Sequence, residues 1–473
     1  MSDEWEATHR VTDAMQRAFV AASGDANPLH TDPIVARRLP FGRVAVHGVH
    51  LALDALDRLA AHQQQPPEQV RCTFRRSVGI DDELTTRITM VSDREARIVV
   101  EHDVWRVADL HVRLAPSDAA PGHDDRDGDE TDVGRTAADV TIDVPVEVPV
   151  DELAGAAGSI DVRADLDTLR DRFPDLVDVA GPQRAAELLS LTRLVGMHVP
   201  GLHSLFSSFT VTFRHDDGVD RLHYAVERFD ERFAKATIAV SGRSLAGELV
   251  AFVRPRPITP AIGDAHPEPD EFAGQRWLVV GGSRGLGATT ALLVAAGGGE
   301  VRLTYRVGAD DADQLAMSIG ATAHRLDVTR PGPGVVALTA DGWQPTHLAY
   351  FASPPIFDGA PGSYSTRLEQ RFRTIYVDGF EAVFAHLDVA RLRGVLWPSS
   401  EAVDHDVSGL AEYAAVKRLG EERCAALGRE HEHVLVSTPR LPRLRTDQTA
   451  SFLPVDYDDA PTTLLAALRA FSG

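Results

Sequence analysis

Cysteine is almost missing from this chain, which has only Cys72 and Cys424. Two thiols so far apart make no disulfide framework, no zinc cluster and no redox pair, so a reducing cytoplasm is the expected setting. Nowhere do about eighteen apolar residues run unbroken, and the start of the chain is acidic and polar; neither a membrane span nor an export signal is expected. Lysine is confined to Lys235 and Lys417, the other basic residues being arginine, which makes each lysine worth a question. Positive charge as a whole is in deficit. Against 70 Asp plus Glu stand 48 Lys plus Arg, and the formal charge of -22 repels nucleic acid and anionic lipid at long range. What is present is ordinary globular material, 44% hydrophobic and 25% charged, which excludes wholesale disorder, collagen-like repetition and a coiled-coil rod. At about 150 residues per domain, 473 residues predict about three domains.

Two breaks divide the chain. Residues 113–139 are dense in Asp, Gly and Pro with almost nothing bulky to bury, and predict a linker. Residues 254–272 carry five prolines ahead of a strongly apolar segment. The expected boundaries are a first domain over 1–115, a linker over 116–139, a second domain over 140–256, a Pro-rich linker over 257–274 and a third domain over 275–473. The first piece reads as a helix near 11–22, a turn-rich segment, a long helix near 44–61 and then alternating strand runs such as TTRITMV and ARIVVEHDVW. A curved antiparallel sheet around one helix is expected. The middle piece repeats that order with a helix near 183–198 and the strands SLFSSFTVTF, RLHYAVERF, AKATIAVS and GELVAFVRP. The third alternates strand and helix, the pattern of a parallel sheet with crossover helices.

In the first piece SGDANPLHTDP sets Asp25 and His30 five residues apart. On a continuous helix their side chains would diverge, but Pro28 disfavours helix at Asn27 and a loop can bring them together. A carboxylate and an imidazole on one water form a general acid and base pair for adding or removing water. Gly48, near the start of the long helix, offers a backbone N–H to a developing thioester enolate oxygen. The stretches FVAASGDANPLHTDP and FGRVAVHG resemble the signature of MaoC-like, R-specific enoyl-thioester hydratases with a hotdog fold, strongly over 19–51 and loosely beyond. The resemblance implies that Asp25 and His30 activate water, that Gly48 is the oxyanion donor and that Asn27 supports the loop. The competing reading is an Asx-type turn capped by Asp25 with His30 merely exposed. His47 and His50 are expected to be packing or surface residues, and His198 and His203, beside a Pro-Gly break, structural. The middle piece has no such segment and resembles the degenerate half of a tandem double hotdog, which completes an acyl-binding groove.

In the third piece RWLVVGGSRGLGATTALLVAAG runs from an apolar strand through Gly281, Gly285 and Gly287 into a helix, a dinucleotide-binding context with Ser283 in the loop. Arg306 stands where an NAD site often shows an acid, and Arg284 with Arg306 suits a 2'-phosphate, so NADPH is the expected cofactor. Asp327 is placed to accept from the adenine amine. Tyr413 and Lys417, four apart, share a helix face, and a nearby ammonium is expected to lower the tyrosine pKa. Ser400 lies thirteen residues before Tyr413. From about 276 to 439 these features resemble a short-chain dehydrogenase/reductase, which implies Ser400, Tyr413 and Lys417 as its triad. Departures stand beside the match: the family's NNAG reads YFAS over 350–353, its relay asparagine reads Tyr376, and its Pro-Gly reads Pro439-Arg440, leaving Thr446 as a cofactor contact. The basic stretch RLPRLRTDQ reads equally as a phosphopantetheine or carrier-protein contact and as a solvated loop.

The expected architecture is therefore multidomain, an α+β tandem (double) hotdog followed by an α/β Rossmann doubly wound parallel sheet. The expected function is NADPH-dependent 3-oxoacyl reduction plus 3-hydroxyacyl dehydration, or the reverse hydration, on an acyl-CoA or acyl-carrier-protein thioester, in fatty-acid- or polyketide-like synthesis. No metal, nucleic acid or membrane is expected, and a homodimer is implied by the families alone. Two alternatives stay open: a hydratase joined to an NAD-dependent 3-hydroxyacyl dehydrogenase in β-oxidation, and a non-catalytic acyl-binding scaffold beside a degenerate reductase.

Overall fold

A computed structural model describes residues 3–39, 41–116, 144–214, 220–451 and 455–472. The expected linker over 116–139 lies, apart from Pro116, outside the described residues. The chain divides into two compact units, one holding Met1–Ala36 and Arg43–Arg256, the other Pro257–Ser451 and Val455–Gly473 with Arg37–Gly42. Among the described residues no helix is long and apolar enough to cross a membrane.

The first unit is one ten-stranded sheet. Its strands are β1 (Glu4–Arg10), β2 (Pro67–Phe74), β3 (Glu83–Ser92), β4 (Glu95–His102), β5 (Trp105–Leu114), β6 (Ala157–Asp161), β7 (Ser204–Phe213), β8 (Arg221–Asp230), β9 (Lys235–Ser241) and β10 (Leu245–Val253). Their spatial order is β1-β3-β4-β5-β2-β7-β10-β9-β8-β6. Read inward from either edge, each half follows first, third, fourth, fifth, second, so the two halves repeat one topology and meet at the antiparallel pair β2–β7, where Val70 opposes Val211 and Cys72 opposes Phe209. Strand alternation gives the sheet its inner face. Leu84, Thr86 and Ile88 of β3 and Ala96, Ile98 and Val100 of β4 are buried, while Arg87 and Arg97 between them point outward. Against this face lie the helix Gly48–Ala60 and, in the second half, Pro182–Arg193. Gly48–Ala60 is buried at nine of its thirteen positions. An apolar surface that wide suits a helix wrapped by sheet and covered by its neighbours, and each fully buried Leu contributes about 1.5–3 kcal/mol. β1 and β6, the two edge strands, are absent from the sequence reading.

The second unit is built on the parallel strands β11 (Arg276–Val280), β12 (Glu300–Tyr305), β13 (Thr322–Arg325), β14 (His347–Tyr350), β15 (Gly394–Leu396) and β17 (Leu435–Ser437), with the short pair β16 (Ser399–Ser400) and β18 (Arg440–Leu441) beside them. The order β13-β12-β11-β14-β15-β17 is the doubly wound order of dinucleotide-binding sheets, and its direction reverses between β11 and β14. Ligand crevices open at the carboxyl ends of the strands at such a reversal. β11 ends at the glycine loop and the parallel β14 ends at Tyr350 beside Val280, so the loop singled out in the sequence stands at that point.

Candidate active sites

In the first unit the loop containing Asp25 joins two helices. The helix Asp13–Ser23 ends at Gly24 in a left-handed conformation (φ 68°), and Asn27 caps Pro28–Thr31 by accepting from the Leu29 N–H at 3.1 Å. The Asx-type turn of the competing reading is present, since Asp25 Oδ1 accepts from the Asn27 N–H at 3.2 Å. Yet His30 is not left at the surface. A carboxylate oxygen of Asp25 and a ring nitrogen each of His30 and His47 all lie within 4.8 Å of one another, with Asp25 and His47 buried and His30 half-buried. His30 Nδ1 donates to the Ala45 carbonyl at 2.7 Å, which commits that nitrogen and leaves Nε2 for chemistry. Gly48 opens its helix, where an N–H has no intrahelical carbonyl to serve, and a Cβ there would come within 3.0 Å of the Phe74 ring.

The two histidines expected to be packing residues differ. His50 is packing, stacked on Phe19 with centroids 4.5 Å apart and pushed down to about 3 by burial. His47 is also buried, but it touches the pair itself, with its ring 3.7 Å from that of His30. Gln16 sets its tautomer. The Gln16 Nε2 faces the carbonyls of His30 and Ala45, each at 3.2 Å, and donates to His47 Nδ1 at 3.1 Å. The His47 proton therefore sits on Nε2, which donates to the Asp25 carbonyl at 3.2 Å and lies 3.6 Å from Asp25 Oδ2.

Residues far along the chain complete this site. The Thr192 hydroxyl donates to Asp25 Oδ2 at 2.7 Å, and Asn27 Nδ2 donates to the Gly196 carbonyl at 2.8 Å. A Cβ at Gly196 would meet Asp25 Oδ1 at 2.5 Å, so only glycine leaves room for the carboxylate. Arg254, buried after β10, donates to the Leu202 carbonyl at 2.6 Å and is pushed down to about 10 by burial. Burial also raises the Asp25 pKa, opposed by His30, Thr192 and Asn27. It lowers that of His30, opposed by Asp25 and the Ala45 bond and reinforced by Arg254. Thr192, Gly196, Gln16 and Arg254 carry no sequence signal, because each acts only through tertiary contact. His203, expected to be structural, pairs with Glu147 at 3.0 Å.

In the second unit the glycine loop has the shape of a cradle. Gly281 is at φ 75° and a Cβ there would lie 2.8 Å from the Ala352 N; at Gly287 it would lie 2.4 Å from the Gly281 carbonyl; Gly285, at φ 54°, faces open space. Ser283 closes the turn and Arg284 precedes the helix Gly285–Ala296, whose first N–H groups are free of intrahelical partners. Arg284 is 3.9 Å from the Asp447 carboxylate and Arg306 is exposed just beyond β12. Asp327 accepts from Thr329 N and Oγ1 at 3.0 and 2.8 Å, which holds it below the usual carboxylate range. Thr446 N donates to Thr449 Oγ1 at 2.8 Å. In the basic stretch after β17, Arg440 is taken up by Glu421 at 2.7 Å and by Asp404.

Ser400, Tyr413 and Lys417 come together, but in an arrangement the spacing does not reveal. The Ser400 side chain lies close enough to the Tyr413 hydroxyl to favour its ionised form, and its Oγ accepts from Ala402 N at 3.2 Å. Lys417 Nζ donates to the Pro398 carbonyl at 2.8 Å and lies over the rings of Tyr376 and Trp397 at 4.1 and 4.3 Å, against 5.7 Å to Tyr413. Burial pushes Lys417 down to about 7 and Tyr413 up to about 12, with Ser400 opposing the latter. This corrects the expectation of a tyrosine pKa lowered by an adjacent ammonium: the lysine is directed at a carbonyl and two other rings, and desolvation governs the phenol. The two departures from the reductase pattern also meet, Ser353 Oγ lying 2.6 Å from the Tyr376 hydroxyl.

Comparison with known proteins bears on the family of the first unit. Residues 3–108 match the model of the MaoC like domain, so the N-terminal part of the chain is a MaoC-like dehydratase domain. The 3-hydroxyacyl-thioester dehydratase X of Mycobacterium tuberculosis is 38% identical over 66 residues, 14% of this chain and 22% of that protein. The match thus spans about a fifth of that relative's length. Among solved structures, BdcA in complex with NADPH is 22% identical over 43% of this chain and 88% of its own, with a TM-score of 0.38. A short-chain dehydrogenase/reductase from Serratia marcescens is 16% identical over 43% and 92%, also at 0.38. At those scores the likeness carries no weight, and the second unit is read from its own strand order and loops.

Proposed function

We propose that this chain is a bifunctional acyl-thioester enzyme that reduces a 3-oxoacyl group and dehydrates the 3-hydroxyacyl product, or runs the hydration in reverse. The observation that carries the reading is the convergence of Asp25 and His30, with the Gly48 N–H at a helix start nearby in sequence. The repeated strand order supports a double hotdog over 1–115 and 140–256, in which the second half lacks its own Asp/His segment. In hydration the pair carries one proton and holds one water. The water oxygen bonds C3 of the enoyl thioester, its proton passes to the unprotonated member of the pair, and the proton already held goes to C2. The Gly48 N–H stabilises the negative charge that collects on the thioester oxygen. Burial raises the Asp25 pKa and lowers that of His30, which narrows the difference in their proton affinities and eases passage of a proton between them.

In the reductase, over 275–473, the cradle of Gly281, Ser283, Gly285 and Gly287 suits a pyrophosphate, Arg284 and Arg306 suit a 2'-phosphate, Asp327 would accept from the adenine amine and Thr446 would contact the cofactor. Bound NADPH would supply the hydride. Ser400 and Tyr413 then hold the 3-oxo oxygen and Tyr413 donates the proton, with Lys417 anchored on the Pro398 carbonyl 5.7 Å from the Tyr413 ring. A second reading has one observation in its favour: Tyr376 and Trp397 enclose Lys417, as in a reductase that has lost turnover and serves as an acyl-binding scaffold. NADPH oxidation on adding a 3-oxoacyl thioester separates the two, since a scaffold oxidises none at any chain length. The two cysteines are free and buried, in keeping with a reducing cytoplasm.

A further inference from the structure

We infer that Thr192, from the half of the sheet without an Asp/His segment, is a positioning residue of the hydratase, its hydroxyl fixing the rotamer and the charge of Asp25. The inference rests on the hydratase reading and adds to it that the second half serves the water chemistry directly. Thr192 stands in the last turn of the helix Pro182–Arg193. A helical threonine ordinarily turns its hydroxyl back to a carbonyl four residues earlier. Here it reaches out of the helix to Asp25 Oδ2 at 2.7 Å. Thr192 is 5% exposed and Asp25 1%, so no bulk water stands ready to replace the bond.

The following turn continues the same cradle. The helix passes into a π-helical turn, Leu194–His198, an irregularity frequent at functional sites. Four residues after Thr192, Gly196 has no Cβ to strike Asp25 Oδ1 and gives its carbonyl to Asn27. One helix end thus holds the carboxylate by a hydroxyl, makes room for it with a glycine and anchors its loop by a carbonyl. The other groups around Asp25 are charged or titratable: His30 from Pro28–Thr31, His47 ahead of Gly48–Ala60, and Arg254 acting through His30. Arg193, next to Thr192, runs past Gly24 and donates to the Asp161 carbonyl. Thr192 is the neutral side-chain donor on this carboxylate, at Oδ2, beside the Asn27 backbone N–H on Oδ1. Its bond favours the ionised form, so losing it moves Asp25 upward.

The test uses the full chain and three variants, Thr192→Val, Thr192→Cys and Thr192→Ser. A hydrogen bond to a charged group is worth about 1.5–3 kcal/mol, and 1.36 kcal/mol is one pH unit. For T192V the acid limb of kcat/KM for hydration should therefore move up by about one unit or more, with about ten-fold loss below it and little change on the alkaline side. T192S should keep the wild-type limb, and T192C, a weaker donor, should fall between serine and valine, an ordering that survives if valine does not fold. Equal limbs in all variants, or a uniform loss at every pH shared by T192S, would overturn the inference. A readout independent of turnover is the carboxyl carbon resonance of Asp25, identified by its loss in Asp25→Asn. If that resonance titrates higher in T192V while no enoyl thioester is hydrated, the positioning role stands and the hydratase reading fails. If hydration is normal and the resonance does not move, the reverse holds.

Discussion

Gly196→Ala perturbs the proposed hydratase without replacing any group that carries a proton. The added Cβ would lie 2.5 Å from Asp25 Oδ1 and 2.7 Å from Oδ2. Ordinary contact begins at 3.4 Å, so the carboxylate must retreat by roughly 0.9 Å or the backbone must give. Overpacking of this kind costs about 1–3 kcal/mol of stability. A retreat by the carboxylate strains its 2.7 Å bond from Thr192 and displaces it from the position it holds beside His30. Misplacing a reacting group by about 1 Å is worth about 100-fold in rate. The expectation is a folded protein with a modestly lowered Tm, hydration of a short enoyl thioester reduced about 100-fold, and NADPH oxidation with a 3-oxoacyl thioester unchanged, all measured on the same preparation. A folded G196A chain that hydrates within two-fold of wild type would refute the reasoning, because the carboxylate would then have no need of the space.

Other outcomes follow from the second unit. Lys417 is pushed down from its ordinary 10.5 to about 7, so between those pH values the folded chain binds fewer protons than the unfolded one. Stability relative to Lys417→Met should rise as pH climbs from about 7 to about 10.5, by up to several kcal/mol, and a pH series of Tm values for the two proteins checks both sign and window. Arg306→Glu should cost about 10- to 100-fold in NADPH affinity and leave or improve that for NADH; unchanged preference removes Arg306 from the cofactor site. Gly287→Ala, whose Cβ would lie 2.4 Å from the Gly281 carbonyl, should abolish dinucleotide binding by fluorescence titration while Asp25-dependent hydration persists.

What was legible in the sequence is what local rules govern. Pro28 between Asp25 and His30 signals a loop that can fold the two together, and the strand, glycine turn and helix around Gly281 signal a parallel sheet and its crevice. β1 gives a weak signal because EWEATHR turns Trp5, Ala7 and the polar His9 to the inner face, and β6 because AGSID has a single buried residue, Ile160. Both need the rest of the sheet to be strands. Thr192 and Gly196 were invisible for a different reason: the sequence separation of 167 from Asp25 to Thr192 is closed by topology, and neither residue type announces a partner. The i, i+4 spacing of Tyr413 and Lys417 was readable, but the direction of their pKa shifts depended on Tyr376, Trp397 and the Pro398 carbonyl, which converge on the lysine from outside its helix.

The most direct test of the whole account is mass spectrometry of the products formed from one 3-oxoacyl thioester and NADPH by the wild-type chain, Asp25→Asn and Tyr413→Phe. Wild type should yield the 2-enoyl thioester together with its 3-hydroxyacyl precursor, D25N should stop at the 3-hydroxyacyl thioester, and Y413F should return the substrate untouched. Enoyl product from D25N, or substrate recovered unchanged from the wild-type chain, would contradict the assignment of water chemistry and hydride chemistry to these two sites.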